Sequence, residues 1–425
     1  MLTARQARGR YLILLGLRWL PVGMLIPVLV LLMLERGLTL SQIGLAGAIQ
    51  GLVVLALELP TGGLSDSLGR RPVMLAGGVL AAVSLGLMFV ADSFAVFVLV
   101  FAVEGIYRAL DSGPLQSWYV DAVLAHDPEA DLTGGLSAGA TVAGLAIAAG
   151  SLAAGGLVAL DPLPGVEALA LPVLAALVIQ LGGTVAIAGL ATEPRAGRGW
   201  AAVAASVRQV PAVIGGGLRL LRGTRVLVAL IAVELCWGFG MVTFETLMPV
   251  RLAEVAGGPD VAGAVMGPAA AAAWAASAAG AAVIPLVARR LGVAPTAAGL
   301  RVLQGGFVVG MALLAGPVGL VTAYLATYAV HGASAPMHHT LLHRQVTKAH
   351  RTTVLSMNSM AMQAAGAAGL VALTALADGV SVSVSILVGA AVLAVAAPLY
   401  LPAWRADRNR VRSGKTSGAV AIRDG

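Results

Sequence analysis

The chain carries one cysteine, Cys236, in 425 residues. A lone thiol closes no intrachain disulfide, and it excludes metal sites built on clustered cysteines. It lies inside an apolar run, where a thiol acts as a small packing group. Charge is scarce as well, at 11% Asp, Glu, Lys and Arg. A water-soluble chain uses about 25% charged residues to cover its surface, so that class is excluded. Aromatics reach only 4%, so the 59% hydrophobic fraction and the mean hydropathy of +0.91 rest on Ala, Val and Leu. Beside them stand 54 Gly. Small residues let membrane helices approach closely where no hydrophobic effect drives them together. An integral membrane protein is what remains.

The net charge of +7 and pI near 10.2 do not indicate a nucleic-acid partner, because no basic face is interleaved with aromatics. The basic residues fall between apolar runs and in the tails. Arg5, Arg8 and Arg10 precede a first run that continues to about residue 34. That is too long for a signal peptide and has no small-residue cleavage site, so a retained first spanning helix is expected.

A crossing takes roughly 20 apolar residues. Twelve candidates follow, at about 11–34, 41–63, 72–91, 94–122, 134–160, 166–191, 226–250, 260–287, 294–315, 317–337, 352–376 and 380–403. The expected organisation is a six-helix bundle over 1–191, a linker at 192–225, a second bundle over 226–403 and a basic tail at 404–425. With both ends on one side, the opposite loops hold only Arg36 and Arg251, and the spans only Arg18, Arg108 and Arg301. All the other Lys and Arg share the side of the termini, which places both termini in the cytoplasm and the chain in the inner or plasma membrane. The linker from Trp200 to Arg225 mixes Val, Leu and Ile with Arg208, Arg219 and Arg222; it reads as an amphipathic helix on the membrane surface or as a solvated connection. The tail after Trp404 reads as disordered.

Between the second and third runs lies a short polar knot, Gly62-Gly63-Leu64-Ser65-Asp66-Ser67-Leu68-Gly69-Arg70-Arg71. Charges of this kind are placed where they reach water. The pattern G-x-L-x-D-x-x-G-R-R, in the second loop of a 6+6 arrangement, resembles the major facilitator superfamily of secondary transporters. The resemblance implies an all-α fold of twelve helices in two six-helix bundles, moving a small-molecule substrate by alternating access with no cofactor or ATP site. Gly69 permits the tight turn. Asp66 suits a helix N-terminus of the other half. Arg70 pairs with Asp121, where this family commonly places an acid, and with Gly62 and Arg71 the cluster implies a latch between the halves. The matching loop of the second half, Arg289-Arg290-Leu291-Gly292, lacks the acid.

The fourth run reads Glu104-Gly105-Ile106-Tyr107-Arg108-Ala109-Leu110-Asp111-Ser112-Gly113-Pro114. Glu104, Arg108 and Asp111 share one helical face, and Pro114 is expected to kink the helix. The segment resembles the fourth-helix motif of drug–proton antiporters, with the Gly one residue late. A second antiporter feature would be Gly-Pro before Gly-Gly on the fifth helix. Here Gly150 precedes Gly155-Gly156 without the Pro, so close packing is an alternative role. Within spans stand three Arg (18, 108, 301) and five acids, Glu58, Glu104, Asp111, Glu234 and Glu245. Two acids lack an Arg, and such groups exchange protons, which makes protons the coupling partner. Glu58 and Glu245 have the alternative of hydrated capping near the membrane surfaces.

The family resemblance implies that helices 1, 4, 7 and 10 line a central cavity. Arg18, Glu104, Arg108, Asp111, Glu234 and His331 would converge there as proton-coupling groups. Trp118, Tyr119, Trp237 and Met241, with Phe239 and Phe244, would supply apolar substrate contact. His338, His339 and His343 fall near the membrane surface with no nearby acid, and no metal is expected. The leading function is proton-coupled efflux of small amphipathic or lipophilic compounds by a monomer. The alternative is proton symport of a polar metabolite, although the spans offer few amides (Gln50, Gln304, Asn358, Gln363). An enzyme finds no nucleophile, metal or Walker motif to support it.

Overall fold

The computed structural model describes residues 2–62, 64, 68–192, 208, 215, 224–345 and 351–409. Among them every regular element is helical. The first half contains α1 (Ala4–Leu25), α2 (Leu29–Glu35), α3 (Leu40–Gly62), α4 (Arg70–Val90), α5 (Phe94–Leu110), α6 (Pro114–Leu124), α7 (Thr133–Leu160) and α8 (Leu171–Leu190). The second contains α9 (Arg225–Gly240), α10 (Val242–Glu245), α11 (Leu247–Ala256), α12 (Pro259–Leu291), α13 (Val293–Leu313), α14 (Pro317–His343), α15 (Arg351–Gly379) and α16 (Val382–Val395).

Local chemistry explains where these helices start and break. Thr3 and Gln6 form a reciprocal capping box that opens α1. Pro27 removes a backbone donor, and α1 and α2 meet at 41°. The fourth run was expected as one kinked helix over 94–122. It is instead broken into α5 and α6, because Gly113 adopts φ 100° and Pro114 opens the next helix. The last helix continues to Asn409, where the sequence suggested a disordered tail. Residues 193–207 and 410–425 lie outside the described residues, as do most of 209–223.

Among the described residues, nine helices are long and apolar enough to cross a membrane, and ten if α1 with α2 is one span. The expected fourth and tenth crossings fall short for physical reasons. α5 has only 17 residues before its break. α14 is diluted by Tyr324, Thr327, Tyr328, His331 and His338. These two elements carry much of the buried polar chemistry.

α1 packs on α7 and α8, α4 on α5 and α8, and α3 on α5. The second half pairs α12 with α14, α13 with α14 and α16, and α9 with α15. The halves meet along two seams, α3 with α15 and α7 with α12. On the side away from the termini, one apolar core contains residues of both halves, among them Leu31, Met88, Phe244, Met266 and Leu373. On the terminus side each half has a core of its own, one around Tyr11, Trp118 and Tyr119, the other around Leu230, Leu341 and Tyr400. The halves share one core on the far side and keep separate cores on the terminus side, where Glu58 of α3 and Ser359 of α15 still meet.

Two devices hold the far side. The carboxylate of Asp378 on α15 accepts from Leu40 N at 3.1 Å, Ser41 N at 2.7 Å and the Ser41 hydroxyl at 2.6 Å, so one half caps a helix N-terminus of the other. In the second seam, a Cβ on Gly155 would stand 2.9 Å from the Gly267 Cα. Gly267→Leu is expected to prevent this closure and reduce substrate flux in vesicles by more than about tenfold. Gly156→Leu, one residue along and facing open space, should stay near the wild-type rate.

Candidate functional site

The polar residues expected to converge form three separate groups. The first lies inside the N-terminal half. The Arg18 guanidinium donates through Nε to the Asp111 carboxylate, and a second nitrogen reaches the Asp111 carbonyl at 3.4 Å. Asp111 is placed by the C-terminal end of α5, where the chain turns into the Gly113 break. Tyr107 lines the space beside both partners. Two small crevices, of about 30 and 40 Å³, flank this pair within the bundle. Arg18, Tyr107 and Gln180 line both of them; Asp111 borders one and Glu104 the other.

The Glu104 Oε2 is buried without a hydrogen-bond partner. Arg108 is one turn further on and exposed. It acts electrostatically on Glu104 and also on Glu245 of the opposite half.

The second group is the wall around Glu245. Glu245 has exposed surface although protein surrounds it, the combination expected of a group facing an interior space. Its carboxylate accepts from the Tyr328 hydroxyl at 2.6 Å. Tyr328 packs edge-on against Tyr324, Phe244 and Trp274. His331 stacks on Trp237, with ring centroids 5.4 Å apart, and its Nδ1 is buried without a partner. Met241 is half-buried at the junction of α9 and α10.

The third group is buried in the terminus-side third of the second half. His338 Nε2 lies 3.1 Å from Asn358 Oδ1 and 3.3 Å from Glu234 Oε2; Nδ1 lies 3.1 Å from the Tyr400 hydroxyl. With the proton on Nε2, directed at Glu234 and Asn358, Nδ1 accepts from Tyr400. Arg301 donates to Gln304 at 2.8 Å. The sequence placed His338 near the membrane surface, but it is only 1% exposed. Glu234 was expected beside Trp237 in a central cavity, but it turns to this network instead. Nothing in the sequence alone ties Asn358 and Tyr400 to it. Glu58 bridges the halves elsewhere, accepting from Ser359 at 3.1 Å.

Trp118 and Tyr119 do not offer surface to a ligand in this conformation. Both are 3% exposed in the terminus-side core of the first half. Trp118 Nε1 donates to the Thr192 carbonyl, and Tyr119 stacks on Tyr11 at 4.4 Å. The break at Gly113 turns α6 into the bundle and carries them with it. In the polar knot, Gly69 adopts φ 98°, Arg70 pairs with Asp121 at 2.8 Å and Arg71 donates to the Ala188 carbonyl at 2.7 Å. These contacts tie α4 to α6 and α8 within one half. α3 ends at Gly62, and Asp66 lies outside the described residues. On the fifth span, Gly150 packs on the Leu20 carbonyl and Gly155 on α12, so the glycines allow close approach.

A family model described as Major Facilitator Superfamily matches residues 11–335. The chain belongs to the major facilitator superfamily. It is a multi-pass membrane transporter of small molecules and not an enzyme. Among solved structures, the nucleoside transporter NupG is similar at 12% identity and TM-score 0.76, covering 94% of this chain and 99% of that one. A mutant of the same transporter aligns at 13% and 0.73, over 93% and 99%. A bacterial homolog of the human lysosomal transporter Spinster, inward-facing and occupied, aligns at 12% and 0.71, over 94% and 96%. At these identities the likeness concerns the fold. No curated protein matches the chain.

Proposed function

We propose that this superfamily member is a proton-coupled exporter of small amphipathic or lipophilic compounds. It works as a monomer in the inner or plasma membrane with both termini in the cytoplasm. The observation that carries this reading is the wall between the halves, where Glu245 sits beside Tyr328, Trp237, Phe244 and His331 and across from the exposed Arg108. Aromatic faces accept apolar bodies, and a carboxylate between them favours a basic or polar end. Trp237 and Met241 are the substrate contacts in this reading, with His331 at the same wall. Asp111 with Arg18, and Glu104 with Arg108, carry protons. Glu234 and Glu58 are further coupling candidates. In this reading the halves part between their separate terminus-side cores to load from the cytoplasm. The Arg70–Asp121 pair is already formed within the first half and presents Gly62, Asp66, Gly69 and Arg71 to the second half when that side closes.

Uptake is the second reading, prompted by the fold likeness to a nucleoside transporter. Reconstituted vesicles separate the two. Under export, adding a lipophilic dye or drug releases protons from vesicles, and expression protects a sensitive host. Accumulation of a polar metabolite driven by an inward proton gradient, with no protection across chemical classes, would replace export by symport.

A further inference from the structure

A groove of about 310 Å³ runs along the lipid-facing side of the second half, between α13 and the last helix. It lies apart from the Glu245 wall. Its lining is apolar, with Ala298, Gly299, Val302, Pro398, Leu401 and Trp404. Val302 is 55% exposed, Leu401 39% and Trp404 40%. Trp404 stands at the terminus-side end, where an indole suits the membrane–water boundary.

Cations surround that end. The Arg408 guanidinium lies 6.0 Å over the Trp404 ring, and Arg405 is exposed beside it. Arg289 and Arg290, both exposed, close α12 just before Ala294 and Pro295, which line the other lip. The acid of the segment, Asp407, is held by Arg344 at 2.9 Å. An apolar slot ending in arginines and an indole matches an acyl chain joined to a phosphate.

We propose that this groove binds an anionic phospholipid of the terminus-side leaflet. One chain lies along Gly299, Val302 and Leu401, and the headgroup meets Arg405 and Arg408 with Arg289 and Arg290 opposite. Tyr400 forms part of the groove lining and also bonds His338. Lipid in the groove therefore bears on the buried Glu234 network without entering the substrate path.

The test is native mass spectrometry of the full chain titrated with phosphatidylglycerol and, separately, phosphatidylcholine. The wild type is expected to hold one phosphatidylglycerol in clear preference. Arg405→Gln with Arg408→Gln should cut that preference by about thirtyfold, from roughly a fivefold contribution per cation at a membrane surface. Gly299→Leu fills the slot from a position with open space around its Cβ, so it should fold normally and lose the bound lipid of both kinds. Equal retention of the two lipids by the wild type would overturn the proposal. So would a preference that survives both the arginine and the glycine variants.

Discussion

Asp111→Asn is expected to silence substrate-induced proton release while substrate still binds. The side chain keeps its size and can still accept from Arg18, but it no longer exchanges a proton. It also leaves Arg18 without a counter-charge in the bundle. Breaking a fully buried ion pair costs roughly 3–5 kcal/mol. Arg18 is 30% exposed at its side chain, so a smaller loss of about 2 kcal/mol is expected, read as a lowered melting temperature. The double variant Arg18→Met with Asp111→Leu separates the two roles. Replacing both charges by apolar groups is often neutral or stabilising. It should therefore recover the melting temperature but not the proton release. Recovery of both would make the pair a structural strut, and coupling would pass to Glu104 or Glu245.

Asp378→Asn is expected to open the far side. The carboxylate makes three hydrogen bonds across the seam to Leu40 and Ser41. Bonds to a charged acceptor contribute roughly 1.5–3 kcal/mol each, and exposure of Asp378 keeps the sum at the low end. A shift of about 1.5–3 kcal/mol changes the ratio of the two conformations by about ten- to a hundredfold. Leu373, 1% exposed in the shared core, reports the change. In a Cys236→Ser background, Leu373→Cys should react faster with an impermeant maleimide when Asp378→Asn is added. An unchanged rate would mean that the glycine seam alone keeps the far side shut.

Both predictions rest on contacts that are remote in sequence, which marks how far the sequence could be read. Hydropathy located the apolar runs, with ends off by up to about two helical turns, because a crossing is a local property of composition. The polar knot at Gly62–Arg71 was legible for the same reason. The excess of acids over arginines within the spans was also visible. The pairings themselves were not. Asp378 looked like an outer-loop acid, and only the seam shows it capping α3. His338 looked superficial because it follows an ordinary spanning length, but α14 runs on to His343 and keeps it inside. Trp118 and Tyr119 were placed on a continuous fourth helix. The positive φ of Gly113 redirects the chain, and a pattern containing both Gly and Pro does not say whether a helix will bend or stop.

The distribution of apolar cores has a consequence for assembly. Each half is finished at the end that bears the termini, where it owns a complete interior, and unfinished at the other, where its interior is shared. Expressed as separate polypeptides, the two halves would each be self-contained at one pole and adhesive at the other. They should find one another in the bilayer through the Gly155–Gly267 and Asp378 contacts, without a peptide connection to guide them.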